Sequence, residues 1–487
     1  MIISVILIPF IAGMLVPAIP FQKRWQKEVF LETAVVVNSV LVWYLLLHHS
    51  DSTFLLAHFT GDLNISFRVD GMSMVFAGLV SALWPFATLY AFEYMTKEKH
   101  ENVFFLFYTL TYGVTLGIAF AANLLTMYFF YELLTLVTVP LVMHTLTREA
   151  VLAGRKYLYY SLGGAAFAFI GLIMVIVYGR TTDFISGGVF DPDRIAGHTN
   201  VLLLIYVMAF MGFGVKAAVC PFNFWLPQAG VAPTPVTALL HAVAVVKAGA
   251  FAILRLTYYS FGTEFLRGTW AQTVVMIVVM FTIVYGCSRA VKETHLKRRL
   301  AYSTISNLSY ILFGAVVMTP LGLVGALTHL VFHAVMKITS FFCAGAVMHQ
   351  TDCRYVHELN GFGYKMPRVF GIFTVSALAL MGVPGLAGFV SKWNLAEAAV
   401  ESGNPLAWCG IACLLVSALL TAIYMLTIVV RAFFPGKDFD YRTISDAKDP
   451  NWKMLLPLFV FTAFIIGFGL YSQPIVNFFM DIADGNL

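Results

Sequence analysis

Four lysines lie within, or at the end of, long apolar stretches of this sequence: Lys216, Lys247, Lys337 and Lys392. An isolated charge at the centre of a lipid bilayer costs at least ~3 kcal/mol on insertion scales. A desolvated lysine shifts its pKa readily and can then exchange a proton near neutral pH. The four lysines therefore need a functional reason, and proton exchange is the chemistry that they could perform.

Other titratable side chains accompany these lysines. Glu132 lies in the apolar segment FFYELLTL, and His241 precedes the second lysine in HAVAVVKAG. His329, His333 and Lys337 follow each other at i, i+4 and i+8 in THLVFHAVMK, so they lie along one helix face. Histidine titrates near neutral pH, and a nearby carboxylate lowers the cost of a lysine's charge. An alternating row of such groups predicts a proton relay.

Each of these residues also has a structural interpretation. A single intramembrane histidine such as His329 or His333 often makes a helix–helix hydrogen bond, and Glu132 could form a packing ion pair. Lys392 could extend to the membrane interface. Lys216 and Lys247 are harder to explain in this way. The least favoured interpretation is that none of the eight charged or titratable groups has a role in ion transport.

Proline and glycine residues interrupt the apolar stretches beside two of the lysines. Pro221 and Pro227 follow Lys216, and the segment GVPGLAGFVSKW ends just after Lys392. Proline breaks a helix and frees carbonyls, which must be satisfied at membrane depth. A broken helix beside a buried charge is typical of ion sites in transporters.

A hydroxyl-rich segment, YSTISNLSY, lies in a further apolar stretch. Two interpretations are equally favoured. The hydroxyls of this segment hold water in a proton path, or they form hydrogen bonds to neighbouring helices.

The composition indicates that lipid surrounds most of the chain. Of 487 residues, 60% are hydrophobic and 11% are charged, whereas soluble domains carry about 25% charged residues. About 20 apolar residues span a hydrocarbon core. We therefore expect an all-α membrane protein of about 14 transmembrane helices, at 2–20, 28–48, 71–92, 103–122, 124–145, 157–178, 201–220, 234–255, 270–290, 300–318, 322–348, 369–390, 406–431 and 455–478.

The basic residues between these stretches alternate from loop to loop. Most lie on the odd-numbered side, including Lys437, and the even-numbered side holds Arg68, Arg180, Arg194, Arg255 and Arg267. Positive residues favour the cytoplasmic side, so we expect both termini outside the cell membrane. The first apolar run lacks a basic leader, which predicts a retained helix.

The seventh and twelfth stretches resemble each other in pattern, since each is interrupted and each carries one lysine. They lie five helices apart, and an odd offset inverts topology. We therefore expect two inverted five-helix repeats with broken helices 7 and 12. The predicted regions are 1–102 with the first three helices, 103–255 and 256–432 with the repeats, and 433–487 with the last helix.

The chain carries no motif for a redox cofactor. Its six cysteines form neither a CxxC pair nor a ligand cluster, so we expect no iron–sulfur cluster, structural zinc or other metal in this chain. The longest stretches outside the membrane, near 49–70, 180–200 and 432–452, are too short for a catalytic domain.

With these motifs assembled, the sequence resembles the antiporter-like subunits of respiratory complex I, membrane-bound hydrogenases, formate hydrogenlyase and Mrp-type sodium/proton antiporters. The resemblance covers about residues 70 to 395 through the segments FFYELLTL, PFNFWLPQAGVAPTPVTALLHAVAVVKAGAFAILR, RRLAYSTIS, THLVFHAVMKITSFFCAGAV and GVPGLAGFVSKW.

The resemblance implies a role for each candidate residue. Glu132 matches the glutamate that pairs with the lysine of the first broken helix, and Lys216 matches that lysine. Lys247 resembles the central lysine, with His241 as its accompanying histidine. His329, His333 and Lys337 match residues that join two half-channels, and Lys392 matches the terminal residue of the second broken helix.

The resemblance also implies partners. It suggests a subunit that moves protons, or sodium ions, in a bacterial or archaeal cell membrane beside other membrane subunits, including similar antiporter-like ones, with no nucleic acid. Iron–sulfur clusters or a nickel–iron site are expected only in partner subunits. About ten residues follow position 478, too few for the lateral helix of the distal complex I subunit. An Mrp-type antiporter without redox partners and a non-conducting spacer remain alternatives.

Overall fold

The computed structural model describes residues 1–48, 52–61, 63–436, 439–444 and 447–486. Within these ranges the chain is a bundle of long helices with one short hairpin. Lys437, which contributes to the charge asymmetry, lies outside the described residues.

The main helices are numbered in chain order. They are α1 Ile2–Ala18, α2 Arg24–Leu47, α3 Gly71–Tyr94, α4 Glu101–Ala119, α5 Leu124–Val142, α6 Arg148–Tyr178, α7 Thr199–Gly214, α8 Thr234–Phe261, α9 Trp270–Lys292, α10 Leu296–Val317, α11 Pro320–Thr351, α12 Pro367–Met381, α13 Ala387–Glu401, α14 Pro405–Phe433, α15 Trp452–Leu470 and α16 Gln473–Ala483. Single helical turns lie at Pro192–Ile195, Trp225–Gln228, Thr263–Leu266 and Phe362–Lys365.

The chain is a multi-pass membrane protein. Of the helices in the described residues, eleven are long and apolar enough to cross a membrane. Three shorter apolar helices, α1, α7 and α12, lie where the first, seventh and twelfth spans are predicted. The total of fourteen crossings and the inverted repeats remain predictions.

The expectation of an all-α chain is wrong in one segment. Strands β1 (Phe54–Thr60) and β2 (Leu63–Phe67) form an antiparallel hairpin before α3. Its second strand is held to the turn after α4, because the amide of Ala122 donates to the carbonyl of Ser66 at 3.0 Å. The side-chain amide of Asn123 also donates to Ser66 Oγ at 2.9 Å. These bonds satisfy a strand edge that would otherwise be open.

Several predicted helix boundaries also need correction. The fourteenth span ends at Leu470, and the residues after it form a separate helix, α16. Helix α6 begins at Arg148 rather than near 157, because Thr147 caps it by accepting from the amide of Ala150 at 3.2 Å. Its first, charged turns precede the apolar stretch from which the span was predicted.

Three helices form the centre of the bundle. The apolar spans of α8, α10 and α11 are enclosed by other helices along their whole length. Helix α11 packs against α8, α10, α12, α13, α15 and α16. Since α8 and α11 carry most of the predicted titratable residues, these residues lie in the best-packed part of the chain.

Candidate functional site

The seventh predicted span is broken as the prolines suggest. Helix α7 ends at Gly214, and residues 215–224 form turns before the next helical turn. The freed carbonyls find side-chain donors: the Trp225 indole donates to the carbonyl of Val215 at 2.8 Å, and the Tyr131 hydroxyl donates to that of Phe213 at 3.1 Å. A break inside the membrane is stable only when its backbone groups are satisfied in this way.

Lys216 lies in the first turn of this break and is fully buried. Its ammonium nitrogen donates to the backbone carbonyl of Tyr131 and lies 3.4 Å from the centre of the Tyr131 ring. Glu132 is the next residue of α5, and its Oε1 atom is buried without a hydrogen-bond partner in the described structure. The ion pairs within 4.0 Å found among the described residues do not include Glu132 with Lys216. The expected direct pair is therefore replaced by a contact to the neighbouring carbonyl.

A glycine brings the break against α8. A Cβ atom at Gly249 would lie 2.5 Å from the amide nitrogen of Ala217 and 3.0 Å from Lys216 Cβ. Real Cβ atoms do not approach backbone so closely, so only glycine allows this contact. Gly249 follows Lys247 by two residues, and the contact therefore sets the separation of the first two lysines.

Helix α8 contains two π-helical segments that the sequence did not predict. His241 lies in the first, Leu239–Val243, and the second is Leu256–Phe261. The His241 ring is fully buried 5.0 Å from the Phe341 ring, and neither ring nitrogen has a hydrogen-bond partner in the described structure. A π segment adds one residue to a turn and is frequent at functional sites.

Lys247 and His333 meet at the centre of the bundle. The Lys247 ammonium nitrogen lies 2.8 Å from His333 Nδ1, and both side chains are fully buried. A hydrogen bond between two nitrogens needs one donor and one acceptor, so the pair holds a proton on one nitrogen and a lone pair on the other. When the pair carries one extra proton, a short shift of that proton would move a positive charge from α8 to α11.

His333 leads to His329 along α11. Their rings lie 5.6 Å apart and nearly parallel, at 13°. His329 Nδ1 lies 2.9 Å from Ser391 Oγ on α13, next in sequence to Lys392. The Nε2 atom of each histidine is buried without a hydrogen-bond partner among the described residues. Lys247, His333, His329 and Ser391 thus form one row across three helices.

Lys337 extends in another direction. Its ammonium donates to Ser303 Oγ at 2.7 Å, and Ser303 also accepts from the Tyr424 hydroxyl at 2.7 Å. Further buried contacts between hydroxyl and thiol groups join α9, α10 and α14, through Thr421, Cys287, Ser306 and Ser417. The YSTISNLSY segment therefore supplies hydroxyls to a lysine as well as contacts between helices.

Lys392 caps the break of the twelfth span. Helix α12 ends at Met381, and the Lys392 ammonium donates to the carbonyls of Leu380 and Met381 at 2.7 and 3.0 Å. It lies 5.4 Å from the centre of the Tyr310 ring. A cation at a helix C-terminus is favourable. Its ammonium is therefore bound to carbonyls at the end of α12, and both the relay role and the interfacial position of Lys392 stay predictions.

The structure brings only some of the predicted residues into direct contact. Lys247, His333 and His329 form one row, while Lys216 and Lys337 each bond to other groups. Ser391 and Tyr424 were not predicted, since no spacing rule links either to its partner on another helix. In the described ranges no three histidine, cysteine or acidic side chains are grouped as metal ligands.

Comparison with known proteins identifies the family. The family described as "NADH:quinone oxidoreductase/Mrp antiporter, TM" matches residues 121–421. A second, "NADH-Ubiquinone oxidoreductase (complex I), chain 5 N-terminus", matches residues 57–105.

Individual relatives come from two kinds of complex. NADH-quinone oxidoreductase subunit N of Desulforudis audaxviator is 30% identical over 405 residues, which cover 80% of this chain and 79% of the relative. A probable K⁺/H⁺ antiporter protein of Rhizobium meliloti is 31% identical over 83% of this chain, but only 40% of that longer protein is covered.

Solved structures share the fold. A chain of the archaeal membrane-bound sulfane sulfur reductase superposes with a TM-score of 0.85 at 20% identity, covering 99% of this chain and 97% of that one. A chain of the Mrp complex from Dietzia superposes with a TM-score of 0.84 at 21% identity, with coverages of 99% and 96%. By the match over 121–421 and the identity to subunit N, the chain belongs to the family of NADH:quinone oxidoreductase and Mrp antiporter membrane subunits.

Proposed function

We propose that this chain is the proton-translocating, antiporter-like subunit of a redox-driven membrane complex of the complex I or membrane-bound hydrogenase type. The contact of 2.8 Å between Lys247 and His333 carries the proposal. It joins two proton-exchanging groups from different helices at full burial, where an incidental pair of basic side chains would be unfavourable.

The row of contacts suggests the order of proton transfer. A proton on Lys247 passes to His333, would cross to His329 through water between the two rings, and reaches Ser391 beside Lys392. The unpartnered Nε2 atoms of both histidines are the positions where water would continue the path. Lys337, one turn after His333 on α11, and its hydroxyl network form a second branch of the path.

Lys216 and Glu132 form the control point of this mechanism. Because Lys216 bonds to the carbonyl beside Glu132 and not to the carboxylate itself, a small rearrangement would make or break the ion pair. A paired Lys216 keeps its charge, and a separated one releases its proton toward Lys247 across the close contact at Gly249.

The chain would perform no redox chemistry itself. Electron carriers, iron–sulfur clusters or a nickel–iron site, belong to partner subunits in this proposal. Their charge changes would reach the relay through neighbouring membrane subunits, some of them similar to this one. The complex lies in the cell membrane of a bacterium or archaeon, with the termini of this chain outside.

A second candidate is a component of a multisubunit Mrp-type Na⁺/H⁺ antiporter without redox partners. The antiporter relatives are as similar in sequence as the oxidoreductase ones, and an Mrp complex chain shares the whole fold. In that case the same residues would exchange sodium ions for protons, driven by the membrane potential.

Ion uptake into inverted membrane vesicles that contain the intact native complex separates the two candidates. A pH-sensitive dye reports protons and ²²Na⁺ reports sodium ions, with each candidate electron donor and with none. Uptake that requires an electron donor supports the redox-driven subunit. Sodium/proton exchange driven by an imposed gradient alone contradicts it and supports the antiporter.

A further inference from the structure

Helix α2 carries polar side chains within its apolar stretch, outside the relay. Glu32, Asn38 and Ser39 lie within the apolar span Arg24–Leu47. This helix precedes both family matches, which begin at residues 57 and 121. A carboxyl group in a span is costly and calls for a reason of its own.

These side chains form one cluster with residues of α3 and α4. Ser39 Oγ lies 2.8 Å from the Tyr112 hydroxyl, and Tyr112 lies beside Asn38. Trp84 on α3 stacks on Tyr112 with ring centres 4.8 Å apart and contacts Tyr108 at 5.5 Å. The Glu32 carboxyl is within electrostatic reach of the Tyr108 hydroxyl. The α2–α4 polar cluster comprises Glu32, Asn38, Ser39, Trp84, Tyr108 and Tyr112.

Many polar atoms of this cluster are buried without a hydrogen-bond partner in the described structure. They are Glu32 Oε2, Asn38 Oδ1 and Nδ2, Trp84 Nε1 and Tyr108 Oη. Asn38 and Trp84 are 0% exposed. Such atoms are few in folded proteins, and each costs about 1–3 kcal/mol unless water or an ion satisfies it. Their concentration between three helices indicates a hydrated site.

Charged residues connect one end of the cluster to the membrane surface. Glu101 at the start of α4 accepts from Arg24 and from Lys27, each at 2.8 Å. Glu28, which accepts from Lys453 at 2.8 Å, lies one turn before Glu32 on α2. This end of α2 belongs to the side that the basic residues predict to be cytoplasmic. The Glu28 carboxylate therefore lies between the membrane surface and Glu32.

The arrangement fits a proton better than a metal cation. Six residues along a helix separate Glu32 from Asn38 by about 9 Å, so their oxygens do not converge on one point. In the described ranges the cluster does not provide three acidic, histidine or cysteine ligands. The unpartnered polar atoms are instead spread along the helix, as expected for a short row of water molecules that ends at the Glu32 carboxylate.

We propose that the α2–α4 polar cluster is a second, hydrated proton-binding site, in which Glu32 exchanges a proton with water at the Arg24 end of α2, separately from the relay. A proton from that water adds to the Glu32 carboxylate and leaves by the same route. The titratable and charged groups near this exchange are Tyr108 and Glu101 from α4, Arg24, Lys27 and Glu28 on α2 itself, and Lys453 at the charged end. The proposal does not depend on which ion the relay carries.

Hydration is tested by the reactivity of single cysteines in the intact complex. Asn38→Cys lies in the cluster, and Val40→Cys, two residues on, replaces a side chain that is 62% exposed on the outer face of α2. Ag⁺ applied to inverted vesicles should react with Asn38→Cys about tenfold or more faster than with Val40→Cys, after subtraction of the unsubstituted complex. Equal rates would overturn the hydrated site.

Proton binding is tested by infrared difference spectra of the membrane complex between high and low pH. A protonated carboxyl band should disappear in Glu32→Gln and persist in Glu149→Gln, a control on an exposed side chain. A band unchanged in Glu32→Gln would overturn the proposal. Ion uptake, driven by an electron donor or by an imposed gradient according to which drives the native complex, should be retained in Glu32→Gln, and its loss would contradict a site separate from the relay.

Discussion

The ion pair between Asp70 and Arg255 should be one of the strongest single contributions to the stability of the relay helices. Arg255, predicted to face an outer loop, is instead fully buried in α8, two turns after Lys247, and its guanidinium donates to Asp70 Oδ1 at 2.6 Å. Asp70 also caps α3 by accepting from the amide of Ser73 at 2.9 Å. The pair thus holds α3 against the helix that carries the relay.

The magnitude follows from the pKa of Asp70. Burial acts to raise this pKa, but the charge and hydrogen bond of Arg255, with the bonds from Ser73, outweigh burial and lower it from 3.8 to about 2. Each pKa unit is worth about 1.4 kcal/mol, so ionised Asp70 contributes about 2 kcal/mol of folding stability at pH 7. Since its pKa is depressed in the folded state, this contribution is complete above about pH 5 and is lost as the pH falls through about 2.

Asp70→Asn removes this contribution and leaves the Arg255 guanidinium buried without its counter-charge, which together cost about 3–5 kcal/mol. The assay is thermal unfolding of the detergent-solubilised complex, followed by a thiol-reactive dye that reports exposure of the buried cysteines. Arg68→Gln is the matched control, because the Arg68 side chain is 27% exposed and lies 3.5 Å from the same carboxylate. Including the loss of its 2.9 Å bond to the Phe184 carbonyl, this variant should cost about 1–2 kcal/mol, less than Asp70→Asn.

Two results would refute this reasoning. One is an Asp70→Asn variant that unfolds at the temperature of Arg68→Gln. The other is a difference between Asp70→Asn and the native complex that stays the same at pH 7 and at about pH 2, where roughly half of the native carboxylate is protonated.

The relay gives three further expectations. Gly249→Ala places a methyl group 2.5 Å from the Ala217 amide and should destabilise the chain by about 1–3 kcal/mol, measured by the same thermal unfolding. Gly371→Ala is the control, because the space around Gly371 is open, and equal stability of the two variants would contradict the close contact. Lys216→Ala should abolish ion uptake while the complex still assembles on a native gel, and retained uptake would count against the control point. Ser303→Ala removes the acceptor of Lys337 and should slow uptake by about tenfold or more; an unchanged rate would exclude a role for the hydroxyl network.

Most apolar helices and the burial of the titratable side chains could be predicted because both depend on a single physical rule, the cost of polarity in lipid. That cost identifies Lys216, Lys247 and Lys337 in any apolar stretch, and it locates most helices within a few residues. The breaks after Gly214 and Met381 were also predictable, since proline and glycine act on the backbone locally.

Contacts between helices were not predictable in the same way. The bond between Lys247 and His333 depends on how α8 rotates against α11, and the π segment that holds His241 changes that rotation without a known sequence signature. The hairpin at Phe54–Phe67 was missed because its strands are short and lie between apolar helices. Glu32 was missed because it lies near the start of its apolar stretch, one turn after Glu28, where a carboxylate would be expected to reach the surface.

Donor-driven proton uptake by Lys247→Gln in the intact complex tests the central claim most directly. The variant keeps a polar side chain of similar length but cannot share a charge-carrying proton with His333. Proton uptake in inverted vesicles should fall to the level without donor, while Lys292→Gln, an exposed lysine at the end of α9, should behave as the native complex. Native rates of proton uptake in Lys247→Gln would contradict the relay.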